Sequence, residues 1–169
     1  GVDSIEHASL ADDEAIQLAV EKQVAFSMDV YNGDYINAVG EVQGWPDEFL
    51  RKNIETTDSQ RQVFKKAHVA GVPIIYGTDS AVYPHGDNAK QFVIMVEHGM
   101  TPMQAIQAAT SVAAEFIGWQ DRVGSIAVGL HGDIIAVKKD PLDNIAALQD
   151  VAVVIKNGQV VKHSKPIQD

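Results

Sequence analysis

Six residues, Ile74-Ile75-Tyr76-Gly77-Thr78-Asp79, constrain the fold more than any other stretch of the chain. Three apolar residues in a row, bounded by Val72-Pro73 and a glycine, suit a strand buried on both faces, as in a parallel sheet. The strand stops on Gly77 and delivers an aspartate at its C-terminal tip. Val2 to Glu6 reads as an earlier strand with His7 at the same kind of tip. Val24 to Met28 reads as a third strand, and between the first two lies a helix, with Asp12 near its start and Ile16, Ala19 and Val20 on one face. Strand, helix and strand at close spacing predict a parallel α/β sheet.

After Met28 the pattern weakens. Asp29 to Thr57 carries Tyr31, Tyr35, Trp45 and Pro46 among acids and glycines, and reads as a long polar-aromatic connector. Ser59 to Ala70 reads as a helix closed by Gly71. Ser80 to Asp87 is a loop containing His85. Ala89 to His98 follows as a helix, with Phe92, Val93 and Val96 expected as its buried side. Thr101-Pro102 is a helix start, with threonine as N-cap and proline in the first position; that helix runs to about Thr110. A short helix spans Val112 to Ile117. In the tail, strands are predicted over Asp133 to Lys138, Val151 to Lys156 and Gln159 to Lys162, with Asn157-Gly158 as a two-residue hairpin turn.

Composition narrows the function. Thirteen Lys+Arg against 23 Asp+Glu leave a net charge of -10, which argues against binding to nucleic acid or to an anionic membrane surface. There are no cysteines, so disulfides, thiolate metal sites and a cysteine nucleophile are excluded. No apolar run reaches the ~20 residues of a membrane span, and the N-terminus shows no signal-peptide pattern. These features fit a soluble protein of the cytoplasm or periplasm. The chain opens on Gly1 rather than Met, so it is expected to begin inside a longer protein.

Two strand tips thus carry metal-ligand side chains, His7 and Asp79. An imidazole with a carboxylate and no thiolate suits zinc, manganese or iron. A carboxylate beside a metal-activated water can also take its proton and pass it on. Each residue alone also fits a structural role, as a hydrogen-bonded histidine or a turn aspartate. His68, His98, His131 and His163 are read as structural or solvent-exposed, and His85 fits a surface turn.

The segments Gly1-Val-Asp-Ser-Ile-Glu-His7, Ala70 to Asp79, His85-Gly86, Gly99 to Thr110, Val123 to Gly129, Gly132 to Val137 and Asp140 to Ile145 together resemble the C-terminal half of the amidohydrolase superfamily. The resemblance is closest to its metal-dependent Xaa-Pro dipeptidases and Xaa-Arg/Xaa-Lys carboxypeptidases; Ser27 to Asn32 and Tyr83 to Gln91 look like the latter. It implies that residues 1–122 are the C-terminal portion of a (β/α)8 barrel, strands six to eight, and that 123–169 contribute to a small composite β-sandwich. His7 then corresponds to the sixth-strand histidine and Asp79 to the eighth-strand aspartate of a two-metal centre, most simply zinc. Asp79 is the implied base and then acid in hydrolysis of the C-terminal amide bond of a dipeptide or short peptide. His85, in the loop after strand eight, lies near the substrate in that alignment. Tyr31 and Asp29 are further candidates for substrate contact; Asp29 and Asp34 would favour a cationic C-terminal side chain, and solvated loop acids are the plainer reading.

The departures are equally plain. The chain has no His-x-His pair, no candidate fourth-strand lysine and no fifth-strand histidine, and a complete barrel takes roughly 250 residues. The isolated chain is expected to be inactive. Its open sheet edge is expected to meet the missing N-terminal half or another copy of the chain, as in a homo-oligomer. Two alternatives stay open: another amidohydrolase, such as an imidazolonepropionase-like cyclic-amide hydrolase, and a non-catalytic interaction module.

Overall fold

The computed structural model describes residues 1–164, so the last five residues of the 123–169 segment lie outside the described residues. Three short strands, β1 (Ser4–Glu6), β2 (Ala25–Ser27) and β3 (Ile74–Ile75), form one parallel sheet in the order β1-β2-β3. The register pairs Glu6 with Ser27 and Ser27 with Ile75, so the three C-terminal tips end side by side. Helix α1 (Asp13–Lys22) joins β1 to β2. Asp12 caps it by accepting the Ala15 N–H at 2.8 Å, and Ile16 and Ala19 are its buried face.

The segment expected to be a connector is mostly helical. It holds α2 (Asn32–Gln43) and the first half of α3, which runs over Asp47–Ala70 for 24 residues. Two glycines that read as loop residues are instead points of close helix approach. A Cβ on Gly33 would meet the Thr57 side chain, and one on Gly40 would meet Leu50 and Trp45. Helix α3 starts on Pro46 with Asp47 and Glu48 in its first turn, where acids complement the helix dipole. The pairs Glu48–Lys52 and Arg51–Glu55 run along its exposed side.

After β3 come a 3-10 turn (His85–Lys90) and α4 (Gln91–Glu97), α5 (Pro102–Ala108) and α6 (Ser111–Phe116). Thr101 caps α5 and pairs reciprocally with Gln104, as the Thr-Pro start predicts. The buried row of α4 is Gln91, Ile94 and Met95, rotated from the expected Phe92, Val93 and Val96. This helix is apolar on nearly all sides, and a glutamine in the buried row disguises it. The core gathers the sheet and its helices around Phe26, Phe64 and Met95, each fully buried; burial of such a side chain contributes about 1.5–3 kcal/mol.

The tail is an antiparallel sheet of β4 (Ile134–Val137), β5 (Val151–Lys156) and β6 (Gln159–His163). Asn157 and Gly158 turn β5 into β6 with φ of 51° and 75°, the two positive angles that a two-residue hairpin requires. A 3-10 turn over Ile145–Gln149 buries Ile145 and Leu148.

Candidate functional site

Because the strands are parallel and in register, each delivers its next residues to the same edge of the sheet. His7 follows β1, Asp29 lies two residues past β2, and Asp79 lies four residues past β3. One ligand-type atom from each of His7, Asp29 and Asp79 lies within 4.8 Å of the others. His7 has φ 64° and Asp79 φ 47°. Left-handed backbone is uncommon for residues with a side chain and concentrates at functional sites.

The three residues differ in burial. His7 and Asp79 are exposed, whereas Asp29 is 7% exposed. Asp29 Oδ1 faces His7 Nδ1 at 2.9 Å and accepts from Gln60 Nε2 at 2.8 Å. Asp29 Oδ2 accepts from Asn32 Nδ2 at 2.5 Å, and the same amide donates to Asp79 Oδ2 at 3.2 Å. The hydrogen bond to Asp29 holds the His7 imidazole above its ordinary pKa; partial burial opposes this, and Asp29, Asp79 and Glu6 add to it by charge.

Below this cluster the fully buried Gln91 donates from Nε2 to Met28 O at 3.2 Å and to Gly77 O at 2.7 Å. It thereby ties the backbone ahead of Asp29 to the backbone ahead of Asp79. Gly77 has no room for a side chain, since a Cβ would lie 2.1 Å from Ser27 Oγ. The structure ends β3 at Ile75, two residues before the expected stop, and Gly77 passes close to Ser27 at the end of β2.

The donor set fits a hard or borderline divalent cation. Nδ1 of His7 is engaged by Asp29, and the side chain is 55% exposed, which leaves Nε2 as the nitrogen for an ion; Asp79 adds a carboxylate oxygen. Imidazole and carboxylate are zinc, manganese and iron ligands.

The other candidates are not among the three converging residues. Tyr31 is half-buried and packs edge-on against Tyr83 at 4.9 Å between centroids. His85 is exposed at the start of its 3-10 turn, in the loop after β3. Asp34 is paired with Arg61 at 2.6 Å. With Asp29 also committed to His7, Asn32 and Gln60, both acids that favoured a cationic substrate are engaged by the chain's own side chains. His98 turns its Nδ1 to the Ile94 carbonyl and His131 its Nδ1 to Asn157, as expected of structural histidines.

Asn32, Gln60 and Gln91 escaped the sequence reading. The last two left a trace: each is a polar residue in a buried helical row, Gln60 with Phe64 and Ala67, and Gln91 with Ile94 and Met95.

Comparison with known proteins identifies the family. The amidohydrolase family model matches residues 1–161. A crystal structure of a Xaa-Pro dipeptidase with methionine bound in its active site superposes with a TM-score of 0.89 at 38% identity, over 96% of this chain and 40% of that one. The ochratoxinase of Aspergillus niger is 34% identical over 167 residues, which are 96% of this chain and 34% of that protein. Its crystal structure superposes with a TM-score of 0.78 at 32% identity, over 96% of this chain and 38% of that one. The chain thus spans between a third and two fifths of the length of these relatives. Its parallel sheet and helices are an α/β portion of a TIM-barrel-type fold. The chain belongs to the amidohydrolase family.

Proposed function

We propose that the chain is the C-terminal part of a metal-dependent amidohydrolase that cleaves the C-terminal amide bond of a dipeptide or short peptide. The observation that carries this reading is the convergence of His7, Asp29 and Asp79 at three neighbouring strand tips in a chain of this family. In this assignment β1, β2 and β3 are the sixth, seventh and eighth barrel strands. Residues 1–122 are barrel, and 123–169 belong to a composite β-sandwich.

His7 through Nε2 and Asp79 through its carboxylate hold the cation, with the remaining ligands of a two-ion centre supplied by the preceding part of the protein. Such an ion, zinc by preference, supplies a Lewis acid and brings the pKa of water close to neutrality. Asp79 takes the proton from the attacking water and returns it to the nitrogen of the leaving amino acid as the C–N bond breaks. One carboxylate then serves as base and as acid. Tyr31 and His85 follow β2 and β3, the strands whose ends carry the site, and are the candidates for contact with substrate. Asp29 and Asp34 are engaged internally, which removes their support for a cationic side chain, and the likeness to a Xaa-Pro dipeptidase favours Xaa-Pro over Xaa-Arg and Xaa-Lys.

Strand β1 is an edge of its sheet, and Val2, Ile5 and Leu18 beside it are 62%, 41% and 52% exposed. An open apolar strand edge calls for cover. The preceding part of the barrel is the proposed cover, and light scattering distinguishes it from a second copy of the chain. The activity test is turnover of Xaa-Pro, Xaa-Arg and Xaa-Lys dipeptides by the full-length protein. Release of the C-terminal residue, lost on Asp79→Asn, is expected; failure to release any of the three overturns the reading.

A further inference from the structure

We infer that Asp29 and Asn32 are positioning residues that hold His7 and Asp79 in one rigid frame. Asp29 sets the ring of His7, and Asn32 couples that carboxylate to Asp79. The inference rests on the metal-site reading above and adds to it residues that bind neither cation nor substrate.

The argument begins with burial. A carboxylate that is 7% exposed is costly unless its oxygens are hydrogen-bonded. Asp29 meets this demand with Gln60 Nε2 and His7 Nδ1 on Oδ1 and Asn32 Nδ2 on Oδ2. Three of its roughly four lone-pair sites are thus taken by the protein. An Nδ1–H held by a carboxylate fixes both the tautomer and the plane of an imidazole, and leaves Nε2 unprotonated for an ion. The support comes from beneath, from a side chain anchored on α3.

Asn32 performs the second task. Its Nδ2 carries two hydrogens and lies 2.5 Å from Asp29 Oδ2 and 3.2 Å from Asp79 Oδ2. Both neighbours are acceptors, so the amide nitrogen rather than the amide oxygen must face them. One NH2 group thereby holds two carboxylates at a fixed separation and screens one from the other. Asn32 is itself 7% exposed, and it sits at the start of α2, whose packing on α3 through Gly33 admits no Cβ. The frame is built on two helices, whereas His7 and Asp79 themselves sit on left-handed, exposed turns. Ligands on such turns need an outside brace to keep their geometry before an ion arrives.

The test uses the full-length protein, stripped of metal and titrated with zinc, with bound ions counted by elemental analysis and Co2+ replacing zinc for visible spectra. Asp29→Asn and Asn32→Ser are each expected to weaken zinc binding by about 10- to 100-fold while the ion count at saturation stays that of the parent. The Co2+ absorption bands should shift in both variants. His7→Ala, in contrast, is expected to lower the ion count. A zinc affinity within twofold of the parent in both folded variants overturns the positioning roles. An ion lost at saturation on Asp29→Asn, as on His7→Ala, overturns them too, by making Asp29 a ligand. An unchanged ion count and affinity in His7→Ala refutes the metal-site reading itself, separately from either result. If Asp29→Asn does not fold, Asn32→Ser decides alone, because it removes no buried charge.

Discussion

Replacing Gln91 by leucine removes a side chain of similar size that holds two strand ends together. Gln91 Nε2 serves Met28 O at 3.2 Å and Gly77 O at 2.7 Å, and the residue is wholly buried. A buried carbonyl left without its donor costs about 1–3 kcal/mol; the Met28 bond is buried and the Gly77 bond part-buried, so the gross loss is about 2–5 kcal/mol. Something is returned, because Gln91 Oε1 is buried without a partner in the native state. Removing it recovers about 1–3 kcal/mol by the same reasoning. The expected net destabilisation is about 1–3 kcal/mol, read from urea unfolding of the full-length protein followed by two independent probes. The Gln91→Glu change is a sharper form. Its carboxylate would face two carbonyl oxygens with no donor, so its folded pKa would lie above the ordinary glutamate value. A group with a raised folded pKa contributes its stability at low pH and loses it as pH rises. This variant should therefore be the worse of the two at pH 7, by an amount approaching the ~3–5 kcal/mol of an uncompensated buried charge, and should recover toward pH 4. If Gln91→Leu is within about 0.5 kcal/mol of the parent, or if Gln91→Glu is no worse than Gln91→Leu at pH 7, the two hydrogen bonds do not hold the strand ends.

Other expectations test the fold more locally. Gly33→Ala places a Cβ 1.9 Å from Thr57 Oγ1 and 2.6 Å from its Cγ2. It should destabilise by about 1–3 kcal/mol, and Thr57→Ala should recover part of the loss in a double-mutant cycle. Gln23 closes α1 in the left-handed region at φ 55°. Gln23→Gly removes a strain of about 1–2 kcal/mol against a backbone-entropy cost of about 0.5–1 kcal/mol and the loss of the exposed Nε2 bond to Val20 O at 2.9 Å, worth about 0.5 kcal/mol, so the thermal midpoint should not fall. Asp133 is held below the usual aspartate pKa by Lys156 and by the Asn157 N–H, which donates at 2.8 Å. That link is present above the unfolded pKa of about 3.9 and is lost as pH falls through the lower folded value. The Asn157 amide signal in an NMR titration should therefore shift below pH 3.9, and a midpoint at or above it contradicts the assignment.

The strands and their tips were legible for a physical reason. A short apolar run ending on glycine has few places to go in an α/β chain, and parallel register then brings His7 and Asp79 to one edge without further information. The Asn157-Gly158 hairpin and the Thr101-Pro102 helix start were legible because each depends on local backbone chemistry alone. The Asp29 to Thr57 segment was not. Glycine lowers helix propensity, and Gly33, Gly40 and Gly44 within and just after α2 read as loop punctuation. Their actual use is tertiary: the first two admit Thr57, Leu50 and Trp45. Propensity cannot reveal that use, because it depends on which helix passes alongside.

The same division explains why the ligand candidates could be read and their supports could not. His7 and Asp79 stand at strand ends, where sequence order alone assigns them a side and an edge. Gln60 reaches the cluster only through the packing of α3, and Asn32 meets Asp29 through a local turn but reaches Asp79 only across 47 residues. Their partnership with Asp29 spans 31 residues in one case and three in the other. Asp29 itself was read as a substrate contact because an acid after a strand looks available. Three internal donors on that acid support the positioning role proposed for it above. In this chain Gln60, set in the buried row with Phe64 and Ala67, is the sequence mark of the claim that α3 makes on Asp29.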